Sequence, residues 1–391
     1  MLYTARAKRM TTIHLRLGLR CAVVAARGIP VGGSSAAPCV DFLDFRVARR
    51  QQVAPASRKA FRVPPAMRKS LFLAVRVVVT GALLYFSLRL VDAGTVRDRL
   101  QQADAGWLAL GFLLLLIQAL VCAARWELIV RRCGARLTLP RSFRYIMIAA
   151  FFNQTLPSSV GGDAIRVWLV GKHANWRVAA YSVLLDRIVG VVALAGLVVL
   201  GLPWTFALVR DPVGRVALLI IGFGCIAAGL LFVALAWENL RFLQRWLLTR
   251  HLAAVAAVAV DILRTPAAGV PIASLSVAIH VFTVLVAWCA AQSIDAGAPL
   301  ADLFFVILPV VLIATVPISI AGWGVREGAM VTAFAYAGLP QGDGLAISLL
   351  FGILYLLLGV AGGAVWIFSH DRRDPTAISP LPSVETSSDV V

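Results

Sequence analysis

Eight apolar runs dominate this chain, and two of them break off in the middle. A helix needs about 20 residues to cross the hydrocarbon core of a bilayer. Six runs meet that length: 71–91, 107–129, 179–208, 214–236, 269–290 and 345–368. The other two do not. The run 143–157 stops at Pro157 and passes into "PSSVGGDAIR"; the run 300–321 ends in "PISIAGWGVR" and is followed by a short apolar piece at 328–339. Backbone freed by such a break must find partners in protein or in a water-lined cavity. The fold class that follows is all-α, a polytopic transmembrane helical bundle.

Composition agrees. The 391 residues are 60% hydrophobic and 14% charged, against about 25% charged in soluble domains. The net charge of +18 suggests nucleic acid until its distribution is considered. Twelve basic residues, Arg6 to Arg62, precede the first run with only Asp41 and Asp44 against them; the remainder carries 25 basic and 17 acidic residues. Cytosolic loops facing an anionic leaflet account for that excess, so no nucleic-acid partner is expected. The six cysteines show no CxxC pairing, and His280 stands alone in its span, so neither a disulfide framework nor a metal site is expected. No cofactor motif is present. Residues 1–66 read as a basic disordered tail or a start-site artefact, because Met67 opens a positively flanked span; 67–370 form the membrane domain and 371–391 a disordered tail.

The two breaks share Pro, Ser, Gly and Arg at equal offsets from Pro157 and Pro317. Each follows a short apolar helix and precedes another, the pattern of discontinuous helices in a transporter built from internal repeats. With each broken segment taken as a re-entrant hairpin, the chain reads as two inverted units of span, span, hairpin, span: six full spans plus two hairpins. The alternative is eight simple spans. The hairpin topology puts Arg125, Arg131, Arg132, Arg136, Arg141, Arg144, Lys172, Arg177, Arg241, Arg245, Arg250, Arg264, Arg372 and Arg373 in the cytosol with both termini, as the positive-inside rule requires. Residues 238–265 alternate basic and apolar positions at helical spacing and predict an interfacial helix. Arg76 and Arg89 read as snorkelling residues of the first span.

At the first break Pro157 frees a carbonyl, Ser158 or Ser159 can cap the next helix, and Gly161 with Gly162 lets another backbone or a ligand approach. Asn153 and Gln154 can hydrogen-bond a headgroup or satisfy the freed backbone. Arg166 beside a helix N-terminus suits an anion. Ser319, Gly322, Gly324 and Arg326 repeat these parts. Arginine pairs with phosphate through two hydrogen bonds and keeps its charge in a poor solvent, which makes Arg166 and Arg326 candidates for holding a lipid phosphate. Other readings stay open. Arg326 can pair with Glu327 or Asp186 to hold the fold, and Arg166 can be a cytosolic anchor next to Lys172. Asp186 and Arg187, inside the span "YSVLLDRIVGVVALAGLVVL", can pair with either break, take part in proton coupling, or snorkel.

"FFNQTLPSSVGGDAIRVWLV", "LLDRIVGVVAL" and "VPISIAGWGVREGAM" resemble the family of the lysylphosphatidylglycerol synthase transmembrane region, also called flippase-like integral membrane proteins, over roughly Ser70 to His370. In multi-domain synthases such a region is understood to flip an aminoacylated phospholipid made by a separate C-terminal domain; no such domain is expected here. Family members commonly carry Glu where Asp186 stands. The resemblance implies functional positions at Asn153, Pro157, Gly161, Gly162, Asp163, Arg166, Asp186, Arg187, Gly322, Gly324, Arg326 and Glu327. The expected function is a flippase-like transporter in the inner membrane, moving an anionic, modified or isoprenoid phospholipid, with a lipid-modifying enzyme as a possible partner. Two other readings remain: a membrane-embedded transferase using a lipid-linked donor, with Asp163 or Glu327 as its acidic residue, and a non-catalytic partner of a lipid-modifying enzyme. No catalytic motif such as GxSxG, a Walker loop or HExxH is found, so an enzyme is not expected.

Overall fold

Apolar runs with charged or Pro-marked ends become helices throughout the computed structural model, which describes residues 65–91, 93–156, 161–172, 174–235, 247–316, 319 and 321–369. The disordered tails expected over 1–66 and 371–391 lie outside the described residues, apart from Pro65 and Ala66 at the start of the first helix. There are twelve helices among the described residues: α1 Pro65–Arg89, α2 Ala93–Gln101, α3 Ala105–Arg132, α4 Leu139–Thr155, α5 Gly161–Gly171, α6 Trp176–Leu208, α7 Pro212–Leu235, α8 Leu247–Arg264, α9 Pro266–Ser293, α10 Leu300–Ala314, α11 Val325–Ala337 and α12 Gln341–Phe368. No strand occurs among them.

Local chemistry sets the helix ends. The Asp104 carboxylate accepts from the N–H groups of Gly106 and Trp107 to start α3, and Arg131 and Arg132 close its last turn, where a cation meets the negative end of the helix dipole. Asn175 caps α6 through the Arg177 N–H, and Pro266 opens α9.

Five helices are long and apolar enough to cross a membrane: α3, α6, α7, α9 and α12. The expected sixth span, 71–91, falls in α1 and counts only together with α2, across a 94° bend between Val77–Arg89 and Gly94–Gln101. Helices α4 and α5 have 17 and 11 residues, and α10 and α11 have 15 and 13. Each falls short of the roughly 20 residues a crossing takes. Within 238–265, where an interfacial helix is expected, Leu247–Arg264 is helical, with 236–246 outside the described residues. It lays Val255, Ala259 and Ile262 on Ile129, Leu185 and Ile272.

Packing in the two halves of the chain runs in parallel. α3 packs on α4 and α6 as α9 packs on α10 and α12; α5 packs on α4 and α6 as α11 packs on α10 and α12. Across the halves, α4 lies on α12 and α10 lies on α6. The central pair α3 and α9 is antiparallel, since Gln118 meets Thr283 and, seven residues further along α3, Arg125 meets Ser276, seven residues back along α9. The α4–α12 contact is close because glycines line it. A Cβ at Gly362 would lie 1.9 Å from the Met147 carbonyl oxygen, and one at Gly363 2.8 Å from the Phe151 ring. Absent a strong hydrophobic drive between helices in lipid, such small residues let backbones meet.

Candidate functional site

The first break is organised from both sides. Asn153, near the end of α4, accepts the Gly162 N–H through Oδ1 at 2.9 Å, so an otherwise orphaned donor at the start of α5 is satisfied by a side chain. Gly162 must be glycine here: a Cβ would lie 2.3 Å from the Ala149 carbonyl oxygen and 2.6 Å from Asn153 Oδ1. Gly162→Ala is expected to push α5 off α4 and cost about 1–3 kcal/mol, read as a lower melting temperature of the purified protein. Pro157 and Ser159 lie outside the described residues.

From this start α5 carries Asp163 and Arg166 inward to meet α3 and α6. Asp186 of α6 accepts from Arg125 Nε at 2.9 Å through one oxygen and from Arg166 Nη2 at 2.8 Å through the other. Asp163 accepts from Arg166 Nη1 at 3.3 Å and from Arg187 Nε at 2.6 Å. Arg125 Nη1 also donates to Ser276 Oγ at 3.2 Å. The Arg125 guanidinium fits against α6 because residue 190 is glycine, where a Cβ would stand 3.2 Å from Arg125 Nη1. Arg166 lies 4.1 Å from the centre of the buried Trp126 ring, which adds a cation–π contact.

Four of the five charges are sealed: Asp163, Arg166, Asp186 and Arg125 are 8% exposed or less. The Arg187 side chain is 52% exposed. Three guanidinium groups against two carboxylates leave one positive charge in excess. Arg166 Nε is buried without a hydrogen-bond partner among the described residues.

The second break has a different build. Ala321, Gly322 and Gly324 all take positive φ, at 50°, 82° and 86°. Ala321 is the one among these with a Cβ, so the turn holds local strain. Gly324 also sits against α1, where a Cβ would lie 2.7 Å from Leu83 Cβ. Glu327, fully buried, accepts from the Gly324 N–H, from Arg326 and from Ser348 Oγ at 3.1 Å, while Arg326 Nε donates to Ser348 at 3.0 Å. Trp323 and Phe351 place their ring centres 5.0 and 5.4 Å from the Arg326 guanidinium carbon. Its terminal nitrogen occupies the space a Cβ at Gly352 would take. One cation meets one anion here, and the Ser319 hydroxyl is buried with no partner among the described residues.

The two networks sit toward opposite ends of the bundle. Arg125 lies seven residues before the end of α3, at Arg132, whereas Ser348 lies seven residues after the start of α12, at Gln341. The start of α12 is at the other end of the bundle, where Arg99 joins Asp343 at 3.2 Å and the Ile294 carbonyl just past α9.

A family model described as the lysylphosphatidylglycerol synthase TM region matches residues 73–363. The chain belongs to that family. The match takes in both breaks and every charged residue of the two networks, within a multi-pass membrane protein related to lipid handling. Comparison with curated proteins finds no match.

Several sequence expectations for this family member change in detail. Arg166 is not a surface anchor beside Lys172; it is buried, and Lys172 lies separately over the Trp168 ring at 3.6 Å. Arg125 is not a loop charge; it is 6% exposed inside α3 and shares Asp186. Asp186 faces Arg166, and Arg326 pairs with Glu327. Gln154 packs against Gly359 of α12. His280 bonds the Gly190 carbonyl at 3.0 Å through Nε2. Arg89 bonds Tyr85.

Sequence reading missed Arg125, Trp126, Ser276 and Ser348. A signal for two of the positions exists: Asp186 is followed four residues later by Gly190, and Ser348 by Gly352, each glycine making room for a guanidinium from a neighbouring helix. The spacing from break to partner differs by two residues between the halves, which hides the match from a fixed-offset comparison.

Proposed function

We propose that the protein moves an anionic or modified phospholipid, or an isoprenoid phospholipid, from one leaflet to the other, drawing the headgroup phosphate to guanidinium groups held at its broken helices. The observation that carries this reading is the network of three arginines and two aspartates at the first break. Charges inside membrane helices are costly and are kept where they act on a substrate or ion path. The network keeps one positive charge in excess, which a bound anion would offset. Membership of a family related to lipid handling supports a lipid as the substrate.

Opposed positions of the two networks suit alternating access, one break serving each face. The end of the bundle that carries Arg131, Arg132, Arg136, Arg141, Arg144, Lys172 and Arg177 is the cytosolic one on the positive-inside rule, with the chain in the inner membrane and both termini inside. A transferase would need a carboxylate free to act as a base. Asp163 holds two guanidinium groups and Glu327 is enclosed by three donors, so neither serves.

The test is leaflet exchange of a fluorescent phosphatidylglycerol in reconstituted vesicles. Wild-type protein is expected to accelerate exchange, and Arg166→Gln with Arg187→Gln to return it to the protein-free rate. Acceleration by that variant equal to wild type would remove the proposed role.

A further inference from the structure

We infer that the two breaks are unequal: the first holds a lipid phosphodiester at Arg187, and the second is a closed clasp with no charge to spare. This rests on the transport reading and assigns the headgroup to one of its two sites. At the first break Asp186 is divided between Arg125 and Arg166, and Asp163 between Arg166 and Arg187. The excess charge is therefore shared inside the network but reaches the surface only at Arg187, whose Nε is committed to Asp163 and whose two terminal nitrogens have no partner among the described residues. At the second break Glu327 matches Arg326, and rings occupy the surroundings of the guanidinium. Ser319 offers a spare hydroxyl there but no charge.

Position on the helix points to the ligand. Arg187 is eleven residues after Trp176 in α6, roughly 16 Å along the axis at 1.5 Å per residue. Leu184 and Val191, three residues before and four after it, share its face and are 36% and 41% exposed. The half-exposed guanidinium thus opens onto an apolar helix face at membrane depth, where water is scarce and acyl chains pack. An anion that arrives attached to acyl chains fits that setting, and a phosphodiester monoanion brings the network to neutrality. Two terminal N–H groups in one plane match two phosphate oxygens. Asp163 fixes the fork by holding Nε.

The test uses the full chain in detergent, titrated with fluorescent phosphatidylglycerol, alongside its melting temperature. Arg187→Gln is expected to weaken binding by about tenfold or more with little change in melting, since tenfold corresponds to about 1.4 kcal/mol, within the range of one charge-assisted hydrogen bond. Arg187→Lys should recover part of the affinity by restoring the charge without the fork. Arg326→Gln with Glu327→Gln should lower the melting temperature while binding, measured well below it, stays within about twofold of wild type. Unchanged binding in Arg187→Gln, or a loss in the double variant as large as that of Arg187→Gln, overturns the assignment. Displacement of the lipid by millimolar inorganic phosphate would also overturn it, since the site would then take free phosphate. Failure of the transport reading is separate: wild-type vesicles without exchange, together with lost binding in Arg187→Gln, leave the assignment standing.

Discussion

Asp186→Asn is expected to cost about 3–5 kcal/mol, the largest single loss in the molecule, because it strips the shared counter-charge from two buried guanidinium groups at once. Arg125 would keep Ser276 and the Gly190 slot, and Arg166 would keep Asp163 and the Trp126 face, but neither set supplies the missing charge. Excess charge at the first break would rise from one to three if Asp163 were removed as well, and to two with Asp186 removed alone. Melting of the purified protein, or its yield in folded form, reads the loss. Adding Arg125→Gln to Asp186→Asn should recover a measurable part of the stability, because the double variant restores the original net charge. A double variant no more stable than Asp186→Asn alone would show that Arg125 and Asp186 do not share the energy their geometry implies.

Gly362→Val should be nearly as damaging for a different reason. The Cβ has no place to go: the atom it meets, 1.9 Å away, is the Met147 carbonyl oxygen, which belongs to the backbone of α4 and cannot rotate aside. Overpacking of this kind costs about 3 kcal/mol, the upper part of its usual range, and separates α4 from α12. The matched control is Gly224→Val on α7, where nothing lies within 4 Å of the added carbon. Melting temperature should fall sharply in the first and stay level in the second. Equal behaviour of the two would mean that the α4–α12 contact is looser than its glycines indicate.

Much of the fold was legible because the membrane makes length and apolarity decisive. Runs such as 107–129 and 269–290 have few alternatives to a crossing helix. The breaks were legible because Pro157, Gly161 and Gly162, and Gly322 and Gly324, cannot continue an apolar helix without cost. Helix α2 was not, since "AGTVRDRLQ" is nine residues long and mostly polar, and its place is set by Arg99 reaching Asp343 and Ile294 far along the chain. The sequence leaves the partner of Asp186 open between Arg166 and Arg326, because which broken segment meets which long helix is decided by tertiary packing and leaves no periodic trace. Arg125 reads as a loop charge because "ARWELIVRR" loses apolarity gradually, and a buried arginine six residues from Arg131 looks the same in sequence as one that snorkels. Ser348 was invisible: a single hydroxyl in an apolar run is ordinary until an arginine from another helix bonds it.

The crossed docking of the short broken helices limits how this molecule can move. Because α4 rests on α12 and α10 on α6, each half of the polypeptide is mortised into the other, and a hinge that swung one half bodily away would have to tear open the glycine joint at Met147 and Phe151. The short helices α5 and α11 rest on that frame, α5 through the Arg166–Asp186 and Arg187–Asp163 ion pairs and α11 through the hydrogen bonds of Arg326 and Glu327 with Ser348.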